Sequence, residues 1–400
     1  MRRVANLACL FVLLTQGVAA ADRAPHIPYA RADVLALAEK VADYQLATMA
    51  GGYIPPNTSN DTSDRTGWVQ AAFFVGLTAL AERSDKPSYL SAIVARGLAN
   101  QWQLGRRVYH ADDHSIAATY LWAARHAGVQ TALGPLRERF DTILKYPPSV
   151  DLEHANYEDP RGVTCAQRWC WSDAIFMSPP VWFELSRQTG DPKYADYAKA
   201  ELDAVNEYLY DASEHLYFRD SRFFDRRGPD GEKIFWSRGN GWVLSGLARS
   251  IPLLDKNDPA RERLETVFKQ MAAKLKSIQK QDGFWSPSLL ADPRSSVPES
   301  SGTGFFVHGL AWGIKAGLLS RSDYEASVRK GWSALVRAVH PTGKVGYVQQ
   351  VSDRPDNVSI EDTQYYGVGA FLLAASAVAD LDLRPGRKSD SRLSDAAARP

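Results

Sequence analysis

The chain has 400 residues, of which 45% are hydrophobic and 23% charged, and its formal net charge is +1 at pH 7. This composition is ordinary for a globular protein with a large core, and the near-zero charge argues against nucleic acid or an anionic membrane as the main partner. Aromatic residues make up 11% of the chain and include 11 tryptophans, which indicates either a Trp-rich core or a cleft where sugar rings stack on indoles.

The first 21 residues have the features of a secretory signal peptide. Arg2 and Arg3 precede an apolar run from Leu7 to Leu14, and a small-residue cleavage site follows at Ala19–Ala21. The apolar run is too short to span a bilayer. We therefore expect a secreted or periplasmic protein that has no membrane partner after signal cleavage.

Beyond the signal, apolar residues recur mostly at i, i+3 and i+4, which predicts helices almost throughout. Gly, Pro, Asp and Asn occupy the breaks between the periodic segments. Strand-like alternation is limited to short pieces near 216–218 and 345–348. We expect twelve helices, near 31–50, 67–83, 87–103, 113–127, 133–145, 172–189, 193–209, 239–254, 258–279, 303–318, 321–338 and 363–379.

Short polar connections alternate with long aromatic and polar ones, so the twelve helices pair into six hairpins. A closed ring of hairpins, the all-α (α/α)6 toroid, explains this alternation because neighbouring hairpins bury each other's apolar faces. The pattern continues without a linker, which predicts one domain over residues 22–384. The polar tail, residues 385–400, is predicted to be disordered.

In such a ring the long loops gather at one mouth, at the N-terminal ends of the inner helices. A site there would collect one polar or aromatic group from each hairpin, on a rigid scaffold. The inner helices are expected to begin near Trp68, Asp113, Asp173, Arg238, Gly304 and Thr363.

The stretch from Thr164 to Leu185 contains one carboxylate, Asp173, directly behind two tryptophans, Trp169 and Trp171. Asp173 is either a helix cap or a proton-transfer group. The helix dipole would lower its pKa, whereas burial under the indoles would raise it. The two cysteines of this stretch are either disulfide-bonded or buried thiols; they are Cys165 and Cys170.

Asp112 and Asp113 stand at the start of another predicted helix and allow the same two interpretations. Taken with Asp173, they favour chemistry, because hydrolysis or hydration of a sugar needs one group to give a proton and one to accept it. His110 and His114 flank this pair, but their spacing does not make a metal site.

Polar groups between the later helices supply candidate ligand contacts. Arg238 lies between two tryptophans and is a planar donor suited to a carboxylate, whereas Arg219 and Arg222 are expected to pair with Asp220 or Asp225. Asn240 lies between two glycines, where backbone can approach a ligand. Thr303 is either part of a hydrogen-bonding rim or a helix-capping residue.

Several common catalytic signatures are missing from the sequence. There is no G-x-S-x-G elbow, P-loop, dinucleotide fingerprint or H-E-x-x-H motif. The C-x4-C pair has no nearby histidine that would indicate zinc. These observations argue against a serine hydrolase.

Over residues 65–379 the sequence resembles the unsaturated glycuronyl hydrolases, glycoside hydrolase families 88 and 105. It is closer to family 105, the unsaturated rhamnogalacturonyl hydrolases. The segments that carry the resemblance include A-D-D-H-S-I-A-A-T-Y-L, W-S-D-A-I-F-M-S-P-P, F-W-S-R-G-N-G-W-V and E-S-S-G-T-G-F-F-V-H-G-L-A-W-G.

The resemblance implies an (α/α)6 toroid and a substrate with a 4,5-unsaturated uronate at its non-reducing end. It implies that an acid protonates carbon 4, that water adds at carbon 5, and that 5-keto-4-deoxyuronate is released. It also implies that the reaction needs neither a metal nor an organic cofactor. By alignment, Asp173 takes the main acid/base role and Asp113 the second, with Asp112 as the alternative. The substrate subsite is expected to contain Trp68, Asp112, Trp171, Arg238, Asn240, Trp242 and Thr303.

Other interpretations remain open from the sequence. These are an ordinary inverting glycosidase on the same toroid, a sugar epimerase, and a non-catalytic secreted sugar-binding protein. An inverting glycosidase would need two carboxylates roughly 6.5–9.5 Å apart. The family often has Gly-Gln where this chain has Ala117–Ala118, which leaves the sugar specificity open. We expect a monomer or a weak homodimer.

Overall fold

The computed structural model describes residues 27–51, 62–154, 164–294 and 297–384. The predicted signal peptide and the predicted disordered tail lie outside these residues. Within them, no helix is both long and apolar enough to cross a membrane. The helices are α1 (Arg31–Ala50), α2 (Trp68–Ala81), α3 (Pro87–Ala99), α4 (Ala111–His114), α5 (Ala117–His126), α6 (Leu133–Lys145), α7 (Ala174–Met177), α8 (Pro179–Thr189), α9 (Pro192–Leu209), α10 (Ser237–Ser250), α11 (Pro259–Ser277), α12 (Ser300–Lys315), α13 (Arg321–Arg337) and α14 (Tyr365–Leu381). One antiparallel ribbon pairs β1 (Tyr210–Asp211) with β2 (Leu216–Tyr217).

The helices form a closed double ring. The inner ring runs α2, α4–α5, α7–α8, α10, α12 and α14, and α14 packs back against α2. The outer helices are α1, α3, α6, α9, α11 and α13. The predicted (α/α)6 toroid is therefore confirmed, and the inner helices begin at one mouth as expected.

The division into inner and outer helices follows from the sequence pattern. In α14, every residue except Asp380 is buried, and a helix that is apolar all round must be covered on all sides. In α9, by contrast, buried residues recur along one face, at Tyr194, Ala198, Leu202, Val205 and Leu209. Such one-sided helices can cover the ring and still face solvent.

Ring closure depends on a backbone approach between α2 and α14. A Cβ atom on Gly369 would lie 2.2 Å from the carbonyl oxygen of Ala72, and one on Gly76 would lie 2.5 Å from the carbonyl oxygen of Gly369. Both distances are far below van der Waals contact, so only glycine fits at these two positions.

Two of the twelve predicted helices are interrupted, and they are the two that carry the candidate carboxylates. The helix predicted over 113–127 is α4 and α5, and the one predicted over 172–189 is α7 and α8. The second break falls at Ser178, directly before Pro179, because a proline has no amide hydrogen and its ring disturbs the preceding turn of a helix. Ser178 Oγ lies 2.8 Å from Nδ1 of His114, so a hydrogen bond joins one interrupted helix to the other.

Candidate active site

Asp173 is presented by a short cross-linked loop at the mouth of the ring. Cys165 and Cys170 are joined in a disulfide with their Cα atoms 5.5 Å apart. Between them Trp169 is buried and adopts a left-handed conformation with φ 56°. The amide of Ser172 donates to the carbonyl of Arg219 at 2.8 Å. These contacts fix the backbone that leads into α7.

Asp173 does not cap α7. Its side chain makes no capping hydrogen bond; instead Oδ2 accepts from Ser172 Oγ at 3.2 Å and lies 3.7 Å from Nε of Arg219. Only 8% of the residue is exposed. Burial raises the pKa of Asp173 above its usual range, although Arg219 and Arg238 act against the rise. This carboxyl is therefore suited to carry a proton at a pH where an exposed aspartate is ionised.

Asp113 is held by Arg107. Its Oδ2 accepts from the Arg107 backbone amide at 2.6 Å, and its Oδ1 accepts from Nε and Nη2 of the same residue at 3.0 and 2.6 Å. The side chain also packs against Gly105, where a Cβ atom would lie 2.4 Å from the Asp113 carboxyl carbon. These contacts give Asp113 the role of fixing the 105–107 loop.

Asp112 shares the electrostatic environment of Asp173. Burial raises the pKa of Asp112 to about 7; Arg107 acts against the rise, and the charges of Asp113 and Asp173 add to it. Neither Asp112 nor Asp113 caps α4, because the cap is His110, whose Nδ1 accepts from the Asp112 amide at 3.3 Å. Asp112 and Asp173 belong to two different hairpins and interact electrostatically, because the charge of Asp173 raises the pKa of Asp112. The assignment of the second catalytic carboxylate to Asp113, with Asp112 as the alternative, stays a prediction.

His110 forms part of the wall beside Asp112. Its ring lies against Trp171, with centroids 4.7 Å apart. Its buried Nε2 has no hydrogen-bond partner among the described residues. Burial, reinforced by Arg107, lowers the pKa of His110 well below its usual value, so the imidazole is neutral. The sequence analysis noted His110 only as a residue that flanks the aspartate pair without making a metal site, and it did not predict this contact with Trp171.

Arg219 bridges two acidic groups. Its Nη1 lies 2.8 Å from Oδ2 of the fully buried Asp220, which confirms the expected ion pair. Its Nε faces Asp173 as well, a contact that was not predicted from the sequence. Arg222 pairs with the same Asp220 and with Asp353, both at 2.8 Å. Positive charge is therefore fixed beside Asp173.

Arg238 is part of the scaffold in this structure and does not present a free guanidinium to a ligand. The fully buried side chain lies between the rings of Trp236 and Tyr366, at 4.4 and 4.7 Å from their centroids. Its Nη1 and Nη2 donate to the carbonyls of Gln349 and Gln350 at 2.7 and 2.9 Å. Both terminal nitrogens hold the 349–350 loop in this structure, and the expectation that Arg238 grips a substrate carboxylate stays a prediction.

Three other expected subsite residues are also structural. Asn240 exchanges hydrogen bonds with the backbone of Tyr217, at 2.8 and 3.0 Å. Trp242 is fully buried in the core. Thr303 Oγ1 donates to the Glu299 carbonyl at 2.6 Å, and Glu299 is the residue that caps α12. These three side chains are buried beneath the surface of the mouth, where they support the loops that form it.

Trp68 remains at the mouth as a partly exposed ring. It stacks on Tyr366 with centroids 5.1 Å apart, so it can offer an apolar face to a sugar. In the described part of the chain, no group of three or more His, Cys, Asp or Glu side chains is arranged to hold a metal ion. Carboxyl groups with raised pKa values beside tryptophan rings are suited to exchange protons with a bound sugar.

The sequence profile described as Glycosyl Hydrolase Family 88 matches residues 37–381. A relative from Alteromonas sp. (strain LOR), named unsaturated 3S-rhamnoglycuronyl hydrolase, is 41% identical over 347 residues, which cover 85% of this chain and 84% of the relative. A protein of the same name from Formosa agariphila is 36% identical over 327 residues, covering 79% and 85%. The solved structure titled as glycosyl hydrolase family 88 from Bacteroides vulgatus has a TM-score of 0.75 and 25% identity, covering 88% of this chain and 99% of that chain.

Proposed function

This chain belongs to glycosyl hydrolase family 88, one of the two families that its motifs resemble, and we propose on that premise that it removes 4,5-unsaturated uronates from the non-reducing ends of oligosaccharides that polysaccharide lyases produce. It is a glycoside hydrolase. The relatives named above favour an unsaturated 3S-rhamnoglycuronyl substrate. The observation that carries the proposal is the pair of carboxyls with raised pKa values, Asp112 and Asp173, at one mouth of the ring.

In the proposed reaction Asp173 donates a proton to carbon 4 of the enol ether, and water adds at carbon 5. Asp112, in its ionised form, accepts the proton that the water loses. The resulting hemiketal opens, the glycosidic bond breaks, and 5-keto-4-deoxyuronate and the shortened sugar are released. The reaction needs Asp173 protonated and Asp112 ionised; burial raises the pKa of Asp173, which favours its protonated form.

Substrate binding follows from the charges and rings around the pair. Arg219 offers positive charge next to Asp173, where the uronate carboxylate has to lie if carbon 4 is to reach the acid. Trp171 and Trp68 supply apolar faces for sugar rings. In this arrangement Arg219, and not Arg238, is the residue that recognises the uronate.

The test is a panel of lyase digests incubated with the purified protein. We expect loss of the ultraviolet absorbance of the conjugated enol ether on at least one digest, together with the appearance of the keto acid. Saturated oligosaccharides of the same composition serve as controls and should remain intact. Cleavage of saturated substrates with the double bond untouched in the unsaturated ones would contradict the proposed reaction.

We propose further that the protein is exported to the periplasm or secreted as a monomer or a weak homodimer. The support is the arginine pair, the apolar run and the small-residue site at the start of the chain. Mass spectrometry of the mature N-terminus from cell fractions tests the export. Sedimentation across a range of concentrations tests the oligomeric state.

A further inference from the structure

A second cavity lies at the end of the ring opposite the carboxyl pair. Its volume is about 320 Å³, within the range of roughly 300–1,000 Å³ that is usual for small-molecule sites. The residues that line it include Thr78 and Ala79 near the C-terminal end of α2 and Arg249 near the C-terminal end of α10. On α10, Arg249 follows Arg238 by eleven residues, a rise of about 16 Å along the helix. The side chain of Arg249 also reaches the carbonyl of Phe176, three residues after Asp173, so this wall of the cavity lies within about one helical turn of Asp173 along the chain.

Arg249 brings an uncompensated positive charge into the wall of this cavity. Its Nη1 donates to the carbonyl of Phe176 at 2.9 Å, and its guanidinium lies 4.4 Å from the centroid of the Phe176 ring. Among the described residues no carboxylate is within ion-pair distance of Arg249. Burial lowers the pKa of Arg249 to about 9. A cation held in a recess without a counter-ion is costly unless an anion from outside can join it.

The other charged groups of the cavity are already paired. Arg125 lies 3.4 Å from Glu184 and 3.9 Å from Glu82, and Arg83 lies 2.7 Å from Asp380. Arg249 is therefore the lining cation that, among the described residues, has no carboxylate within ion-pair distance.

The remaining lining indicates what kind of anion fits. Trp122 presents a partly exposed indole whose Nε1 donates to Glu82 at 2.9 Å. Glu82 and Glu184 hold acceptor oxygens at the rim, and His308 is neutral because burial lowers its pKa to about 3. An aromatic face with carboxylate acceptors is suited to a ring that carries several hydroxyl groups. A bare inorganic anion would use Arg249 and none of the rest.

We propose that this cavity is a second binding site for a carboxylated monosaccharide, whose carboxylate pairs with Arg249 and whose hydroxyls donate to Glu82 and Glu184. The site is independent of the proposed reaction at the other mouth. Its test is accordingly a binding measurement and needs no turnover.

The experiment titrates the full chain with D-glucuronate, glucose and acetate by calorimetry at neutral pH. We expect D-glucuronate to bind at least tenfold more tightly than glucose or acetate. Arg249→Met should lose this binding by at least tenfold. Arg263→Met removes an exposed charge that pairs with Asp203, so this control should bind as the unchanged protein does.

A filling variant, Ala79→Leu, narrows the same cavity and leaves Arg249 in place, and it should lose D-glucuronate binding as well. It keeps the test valid if Arg249→Met does not fold. Binding that survives both variants, or that disappears only in Asp173→Asn, would place the ligand in the catalytic mouth and overturn the proposal. Equal affinity for acetate and D-glucuronate would overturn the assignment to a sugar acid.

Discussion

Asp112 and Asp113 are adjacent in the sequence, yet their carboxylates have different hydrogen-bond partners and different charged neighbours. Asp113 accepts three hydrogen bonds from Arg107, whereas Asp112 faces Asp173 and titrates near neutrality. The sequence left these two residues as alternatives, because a one-residue shift at a helix start moves a side chain by about 100° and cannot be resolved without the neighbouring loops. Asp173 was singled out by the two tryptophans before it and by the W-S-D-A-I-F-M segment, and its catalytic role stays a prediction.

Asp173→Asn should keep the fold and lower kcat by about 10³-fold, because general acid catalysis contributes roughly 10²–10⁴-fold. The amide keeps the size of the side chain but carries no transferable proton. Steady-state rates on the lyase digest and a thermal melt measure the two effects. Ser172→Ala is the control, since it removes only the hydrogen bond to Asp173 and should reduce kcat far less. Full activity in the Asn variant would remove Asp173 from the mechanism.

Asp112→Asn and Asp113→Asn should separate catalysis from stability. The folded state holds the Asp112 proton up to about pH 7, whereas the ordinary pKa of an aspartate is 3.8, so this group's contribution to the unfolding free energy falls as pH rises through that window. Asp112→Asn removes this cost, at most about 4 kcal/mol, and should be more stable than the unchanged protein at pH 8, with little activity. Asp113→Asn should lose about 2 kcal/mol through its broken bonds to Arg107. Denaturant titrations at pH 5 and 8 measure the unfolding free energies of the two variants. If Asp113→Asn were the stabilised variant and Asp112→Asn the destabilised one, Asp113 would be favoured as the second carboxylate.

The pH profile should fall on its acid side as Asp112 gains a proton and can no longer accept one from water. The pKa of Asp112 is about 7, so kcat should drop about tenfold per pH unit below that value. Arg219 lowers the pKa of both carboxyls, so Arg219→Gln should move this acid limb upward by about one unit. Arg222→Gln also breaks a contact with Asp220. Arg222 is not among the charges that shift the pKa of Asp112 or Asp173, so the pH profile of this variant should not move. Equal shifts in the two variants would exclude a direct effect of Arg219.

At the level of elements, the two interrupted helices position the carboxyl pair. Periodicity predicted both helices as continuous, since apolar spacing persists across a break of one or two residues. Only the prolines at 179 and 180 indicated where one of them stops. The role of Arg238 was hidden for a different reason: its partner carbonyls lie 111 and 112 residues further along the chain, in a loop whose course no local pattern records.

Ser178→Ala should test the link between the interrupted helices. Ser178 Oγ bonds to His114 at 2.8 Å and accepts from Nε1 of Trp182 at 3.1 Å. Its loss should cost about 1–3 kcal/mol and lower kcat several-fold, because the spacing of the carboxyls depends on it. Ser245→Ala removes a similar buried bond, to His308 at 2.8 Å, but lies outside this link and should spare kcat. Equal kcat values for the two variants would contradict a positioning role for Ser178.

For the whole molecule, the closed ring was predictable because its signal is repeated along the chain. Twelve apolar segments with alternating short and long connections leave few other architectures. The contact that closes the ring was not predictable, since it depends on the fit of Gly76 and Gly369 across nearly the full length of the chain.

Gly369→Ala should destabilise the ring by at least about 2 kcal/mol, because the new methyl group would overlap the carbonyl oxygen of Ala72 at 2.2 Å. Gly134→Ala is the matched control. It lies exposed on α6, where an added Cβ atom would meet nothing within 4 Å, and alanine should be neutral or stabilising there. Thermal unfolding of the two variants measures the difference. A neutral Gly369→Ala would show that α2 and α14 can separate without cost.

The same closure imposes an order on biosynthesis. Because α14 packs against both α1 and α2, the first helices made cannot bury their apolar faces until the last one has left the ribosome. The nascent chain therefore exposes apolar surface throughout translation, which is the condition under which chaperones engage a polypeptide and partly folded species aggregate. A messenger truncated shortly before codon 365 should yield an insoluble product, although it encodes every carboxyl of the catalytic mouth.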